Sequence, residues 1–82
     1  MEDRTEIVNY IREYLAKILG LAQDSLTEET TLASLNMKSV NYSQLTTALE
    51  DACDVEVPYM EFKRQADTIG AAADYVITLL EA

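Results

Sequence analysis

The chain has 82 residues, 49% of them hydrophobic, and a formal net charge of −9 at pH 7. A chain this short forms one small domain, expected here over residues 1–82, and buries only about 60% of the surface of its unfolded state. Fifteen acidic against six basic side chains exclude a typical nucleic-acid binder, because the phosphate backbone binds basic surfaces. Glycine and proline together number three, so the composition favours a folded helical domain over disorder.

Neither a membrane span nor a secretory signal is evident in the sequence. No apolar run approaches the roughly 20 residues that cross a bilayer. The N-terminus lacks the charged-then-apolar pattern of a signal peptide. We therefore expect a cytoplasmic protein without membrane insertion, whose acidic surface suits contact with basic patches on other proteins.

The first predicted helix covers residues of about 4–19. Asp3 or Thr5 can cap its start, and Gly20 suits the position after its last turn. Apolar residues recur there at helical spacing. They are Ile7, Val8, Ile11, Tyr14, Leu15, Ile18 and Leu19.

A loop is predicted over residues 20–38, where Thr, Ser, Glu and Asp are frequent. Loops this long in small domains are usually functional or are fixed to the core at intervals. We expect four leucines to anchor it. They are Leu21, Leu26, Leu32 and Leu35.

Three further helices are predicted, over residues of about 39–53, 59–65 and 69–81. The apolar stripe of the second helix is Val40, Tyr42, Leu45, Ala48, Leu49, Ala52 and Cys53. Pro58 cannot continue a helix interior, and the short third helix is expected to carry Tyr59, Met60 and Phe62 inward. Asp67 or Thr68 can cap the last helix, whose stripe is Ile69, Ala72, Ala73, Val76 and Leu80. The expected fold class is all-α, a small four-helix bundle with three longer helices, one short helix and a long loop.

Enzymatic functions are poorly supported by the residue types present. The chain has no histidine, so it lacks Ser-His and Cys-His dyads and the commonest general base. It also has no glycine-rich phosphate loop and no calcium-loop spacing, and no metal site is expected. The single cysteine, Cys53, is interpreted as a small buried hydrophobic residue. The sequence therefore predicts a protein that is not an enzyme.

Ser39 stands at the predicted start of the second helix, followed by a stretch without charge until Glu50. Backbone N–H groups point outward in the first turn of a helix, and the helix dipole favours negative charge there. A phosphate ester on this hydroxyl would be well tolerated. The simpler alternative is that Ser39 only starts the helix, as serine often does.

The flanking residues resemble the acyl carrier protein family. In that family a long first helix and loop precede a motif of the form D/x-L-G-x-D-S-L, and "SLNMKSV" occupies its place here. Leu35 matches the motif leucine and Ser39 the serine that carries a 4′-phosphopantetheine arm donated by coenzyme A. The stretches "LTTALEDACDVEVP" and "TIGAAADYV" resemble the family's second helix and the start of its last one. The resemblance thus covers nearly the whole chain in the right order.

Two motif positions depart from the family pattern. Asn36 replaces the usual glycine, a tolerable change because asparagine readily adopts positive φ. Lys38 replaces the aspartate before the serine, which in the family helps to engage the transferase that installs the arm. The resemblance therefore leaves open which phosphopantetheinyl transferase modifies this chain.

The resemblance also implies a surface that enzymes contact around the serine. Acids usually occupy this part of the second helix, but residues 39–49 carry no charge, which indicates a surface that relies on shape and neutral polar contacts. Met37 and Val40 flank the serine and could touch the arm or the partner enzyme. Met37 is equally interpretable as a loop anchor, whereas for Val40 a place in the core is the favoured interpretation. The candidate partner-recognition residues are Met37, Lys38, Val40, Asn41, Gln44 and Thr47.

The function implied by the resemblance is a specialised, monomeric carrier that holds acyl, polyketide or aminoacyl cargo as a thioester on the arm. Its expected partners are the phosphopantetheinyl transferase and the loading, synthase or transferase enzymes of one pathway. One alternative is an interaction module that kept the fold and lost the arm. Another is a small regulatory protein in which Ser39 is phosphorylated directly.

Overall fold

The computed structural model describes residues 3–82, so the first two residues of the predicted domain lie outside it. Within that range it contains four α-helices and two short 3-10 turns, and the predicted all-α fold is confirmed. The helices are α1 (Arg4–Leu19), α2 (Ser39–Cys53), α3 (Tyr59–Gln65) and α4 (Ile69–Glu81). The 3-10 turns, Gln23–Ser25 and Leu32–Leu35, lie in the segment predicted as loop.

The ends of α1 are formed by the residues that the sequence suggested. The Asp3 side chain accepts a hydrogen bond from the backbone N–H of Thr5, and Gly20 adopts the left-handed conformation with φ 69°. The N–H groups of Gly20 and Leu21 both donate to the carbonyl of Ala16, that of Leu21 at 2.9 Å, and so close the end of the helix. This turn leaves the Leu21 side chain 40% exposed, so its prediction as a core anchor was wrong.

The long loop is held down by two leucines and by Arg12. Leu26 and Leu32 are buried, and Leu35 is half-buried against the core, as predicted. From α1, Arg12 Nε donates to the carbonyl of Leu26 at 2.7 Å, and its Nη2 donates to that of Gln23 at 3.1 Å. Because the guanidinium presents several donors in a fixed fork, one side chain satisfies two loop carbonyls.

The end of the loop is tied to the start of α4. The N–H of Leu32 donates to the carbonyl of Asp67, and the N–H of Ile69 donates to the carbonyl of Thr30, both at 3.0 Å. Thr68 is the residue that caps α4, since its hydroxyl accepts from the N–H of Ala71 at 3.0 Å. These contacts fix the chain shortly before it enters α2.

The core lies between the four helices and the loop. Its largest fully buried side chains are Ile7, Ile11, Leu15, Leu26, Leu32, Leu45, Leu49, Phe62, Ile69 and Val76. From α3 only Phe62 enters fully, and Tyr59 is half-buried. Met60 is 76% exposed, so the prediction that it points inward was wrong. In the part of the chain that the structure describes, no helix has the length and apolar character to cross a membrane.

Candidate functional site

Ser39 is the first residue of α2, and its side chain is exposed. Within residues 3–82 its hydroxyl has no hydrogen-bond partner, although the backbone carbonyl of Ser39 lies 3.5 Å from the hydroxyl of Tyr59. The serine side chain therefore does not cap the helix. Its hydroxyl is free to react with a group that arrives from solvent.

The start of α2 is held by Asn36 and Asn41. Asn36 adopts the left-handed conformation with φ 54°, as its place at the family's glycine position predicted. The Asn41 side-chain oxygen accepts from the N–H of Lys38 at 2.9 Å. The Lys38 side chain cannot return a cap, because an ammonium group only donates.

Because no side chain accepts from the N–H groups of its first turn, the start of α2 is open to an anion. Inside the described range the N–H groups of Ser39 and Val40 have no partner, whereas that of Asn41 donates to the carbonyl of Lys38 at 2.9 Å. Such free N–H groups and the positive end of the helix dipole stabilise negative charge. The exposed hydroxyl and this environment fit a phosphodiester on Ser39.

Helix α3 packs beside the serine. Its first residue, Tyr59, contacts Ser39, and one turn later the ammonium of Lys63 lies 5.4 Å from the ring centroid of Tyr42. Ser39 and Tyr42 are three residues apart on α2, so both contacts lie on the same side of α2, along its interface with α3. Burial raises the pKa of the Tyr42 hydroxyl, and the nearby Tyr59 adds to the effect.

Two open grooves adjoin the serine. The smaller, about 420 Å³, is lined by Ser39, Val40, Ser43 and Tyr59. The larger, about 600 Å³, runs between α2 and α1, where Tyr14 forms one wall, and it shares Val40 and Ser43 with the smaller groove. Val40 is 57% exposed, so the interpretation of this residue as part of the core stripe was wrong.

The remaining predicted contact residues divide into two groups. Lys38, Gln44 and Thr47 are exposed, and the two polar side chains follow Ser39 along α2. Asn41 is half-buried, and its side-chain oxygen already accepts the hydrogen bond from the N–H of Lys38. Met37 packs against the core, as a loop anchor does.

The sequence pattern did not indicate three residues near the start of α2, namely Ser43, Tyr59 and Lys63. The helical spacing of four could have placed Ser43 beside Ser39. Tyr59 and Lys63 are brought there by the packing of α3 on α2, and no local pattern in the sequence indicates that contact.

Comparison with known proteins identifies the family. A family model described as a phosphopantetheine attachment site matches residues 9–76. The chain is 32% identical over 79 residues to the acyl carrier protein of Saccharopolyspora erythraea, covering 95% of this chain and 82% of that protein. It belongs to the acyl carrier protein family. The acyl carrier protein of Rubrobacter xylanophilus is 33% identical over 76 residues, 92% of this chain and 93% of that protein.

Family membership decides two general points. Acyl carrier proteins carry covalently attached groups and are not enzymes, in agreement with the prediction from the missing histidine. Their cofactor is 4′-phosphopantetheine, attached through a covalent bond. The exposed hydroxyl of Ser39, at an open helix start, is a suitable acceptor for it.

Proposed function

We propose that Ser39 carries the 4′-phosphopantetheine arm and that this protein, one cytoplasmic carrier domain, presents acyl or related intermediates to partner enzymes. The observation that supports the site most directly is the exposed hydroxyl of Ser39, which has no hydrogen bond within residues 3–82. It stands at the only motif of the sequence that resembles the family's attachment motif, after Leu35 and Asn36.

Attachment of the arm is a phosphoryl-type transfer from coenzyme A. A bond forms between Ser39 Oγ and the phosphorus that bears the pantetheine, and the bond from that phosphorus to the adenosine-bisphosphate oxygen breaks. Adenosine 3′,5′-bisphosphate leaves, and the hydroxyl proton passes to a base. Because this chain has no histidine, we assign that base to the transferase.

The domain itself supplies an anchor and a contact surface. When attached, the arm supplies a terminal thiol that holds cargo as a thioester. A flexible tether gives each docked enzyme a high effective concentration of substrate without tight binding. The exposed side chains before Ser39 and farther along α2, above all Lys38, Gln44 and Thr47, are then available to orient the enzyme that is acting.

We place the protein in a specialised pathway, of fatty-acid, polyketide or other secondary-metabolite type, rather than in housekeeping fatty-acid synthesis. Lys38 reverses the charge expected before the serine, and α2 is uncharged from Ser39 to Leu49. Enzymes that recognise an acidic second helix would meet a different surface here. The same monomeric domain would serve each enzyme of the pathway in turn.

Mass spectrometry of the protein purified from its native host tests this proposal. A peptide containing Ser39 with one phosphopantetheine is the expected result. Phosphate alone on that peptide would favour direct phosphorylation. An unmodified serine in every growth phase would favour an interaction module without the arm.

A further inference from the structure

The surface around Ser39 carries positive charge in a strongly acidic protein. Lys38 is the only charged residue from Thr30 to Leu49. It is exposed and directly precedes the serine. The environment that an approaching enzyme meets first is therefore not the acidic one that the net charge of −9 suggests.

A second cation is held at the interface between α2 and α3. Lys63 lies over the ring of Tyr42, which is one turn of α2 beyond Ser39. Arg64, the next residue, is neutralised by Glu61, with Nη2 and Oε2 at 2.6 Å. Of the charges contributed by α3, the ammonium of Lys63 is thus the one left to act on a partner. The cation–π contact keeps it beside α2.

The acids of α2 lie too far along the helix to cancel these cations. Glu50 and Asp51 follow Tyr42, the residue that Lys63 covers, by eight and nine residues, which corresponds to roughly 12–14 Å of helix, and they are farther still from Lys38. At physiological ionic strength charges are screened over about 8 Å. The end of α2 that bears Ser39 and the end that bears the acids therefore act as separate electrostatic surfaces.

From this arrangement we infer that the phosphopantetheinyl transferase of this carrier contacts Lys38 and Lys63 with an acidic surface. This inference rests on the proposed attachment at Ser39 and names the chemistry of the partner. Carboxylates on the enzyme would attract the two ammonium groups and speed productive encounter. The exposed Val40 and Met60 flank the cations and would meet apolar side chains of the same partner.

The test compares two double variants of equal net charge with the native host's transferase and coenzyme A. Lys38→Gln with Lys63→Gln removes the cations. Thr5→Glu with Asn9→Asp also lowers the net charge by two, but at exposed positions of α1 beside the loop residues Asp24–Glu29. Asn9→Asp keeps the oxygen that accepts from Arg12. Circular dichroism is used to check that both variants are folded.

At physiological ionic strength, where distant charges are screened, we expect kcat/KM for loading to fall about tenfold in the variant without the two lysines. The control variant should stay within about twofold of the wild type, and added salt should narrow the difference between the two. An unchanged or faster rate without the lysines would overturn the inference while Ser39 remained the attachment site. A wild-type protein that is never loaded on Ser39 would instead overturn the proposed function.

Discussion

The side-chain oxygen of Asn41 accepts a hydrogen bond from the backbone N–H of Lys38 at 2.9 Å. This is one half of a capping box at the start of α2. The other half is absent, because Lys38 has no acceptor to offer the N–H groups of the first turn. The helix start is consequently fixed in position and yet retains free donors beside Ser39.

Replacing Lys38 should therefore stabilise the apo protein. Lys38→Asn supplies the missing acceptor and should raise the free energy of unfolding by about 0.5–1 kcal/mol. Lys38→Asp should add a few tenths of a kcal/mol through the helix dipole. Urea unfolding followed by circular dichroism measures both changes. Equal stability of all three proteins would show that the free N–H groups gain nothing from a side-chain cap.

Lys38→Asp and Lys38→Asn together separate the effect of helix capping on the loading rate from the effect of charge. With a transferase that serves ordinary acyl carrier proteins, Lys38→Asp should be modified faster than the wild type, because it restores the acid that the family's motif presents. Lys38→Asn, which caps equally well without that charge, should give a smaller gain. Initial rates of loading decide the point. No difference between Lys38→Asp and the wild type would show that this position does not affect recognition by that transferase.

Ser39→Ala should abolish loading and leave the fold intact. The hydroxyl has no hydrogen bond within residues 3–82, so the free energy of unfolding should change by less than about 0.5 kcal/mol. Ser43→Ala, one turn later on the same groove, should still take up one arm. Helical circular dichroism and intact mass report the two properties. Loss of helicity in Ser39→Ala would mean that the serine is structural.

The helices were predictable because each has a strong local signal. Thr68 and Gly20 mark boundaries through cap chemistry, and apolar residues at helical spacing mark the buried faces. Apart from Leu21 in the loop, the residues wrongly predicted to be buried are Val40 and Met60, and both occupy the second position of a helix. Helical spacing assigns a residue to one face of a helix. It does not show whether a neighbouring element extends far enough to cover the first turn of that face.

Only those parts of the site that are formed by residues close together in the sequence could be predicted. Ser39 and the left-handed Asn36 belong to one motif, so the resemblance supplied both. The contacts of Tyr59 and Lys63 with the start of α2 join segments about twenty residues apart. They depend on how α3 crosses α2, which is decided by tertiary packing and not by local pattern.

Core burial at Leu49 gives a direct test of the helix faces. Leu49 is fully buried, so Leu49→Ala should cost about 2–5 kcal/mol of stability. Leu49→Asp should unfold the domain, because it buries an unpaired charge. Thr47→Asp, exposed on the same helix, is the matched control and should remain folded. Circular dichroism thermal melts compare the three, and a folded Leu49→Asp protein would contradict the assigned face.

Arg12 should be the most important polar anchor of the loop. Arg12→Ala removes the donors to the carbonyls of Leu26 and Gln23, and we expect a loss of about 2 kcal/mol. Arg12→Lys should not restore it, since one ammonium cannot reproduce the fork. The control is Arg64→Ala, which removes an exposed ion pair and should cost much less. Equal losses in Arg12→Ala and Arg64→Ala would show that the loop does not depend on Arg12.

Cys53 should not interfere with thiol assays of the loaded carrier. It is only 7% exposed, and burial raises the pKa of its thiol, so little thiolate is available at pH 8. A maleimide should label native apo protein very slowly and label it once in denaturant. After loading, the arm should supply one rapidly labelled thiol. Fast labelling of native Ser39→Ala would contradict the burial of Cys53.

Attachment of the arm to Ser39 is best tested by the intact mass of the protein after incubation with coenzyme A and a broad-specificity phosphopantetheinyl transferase. Peptide mapping then locates the added group. We expect one phosphopantetheine, on Ser39, in a protein that circular dichroism shows to be folded. No addition to the folded protein, or addition at another residue, would contradict this expectation.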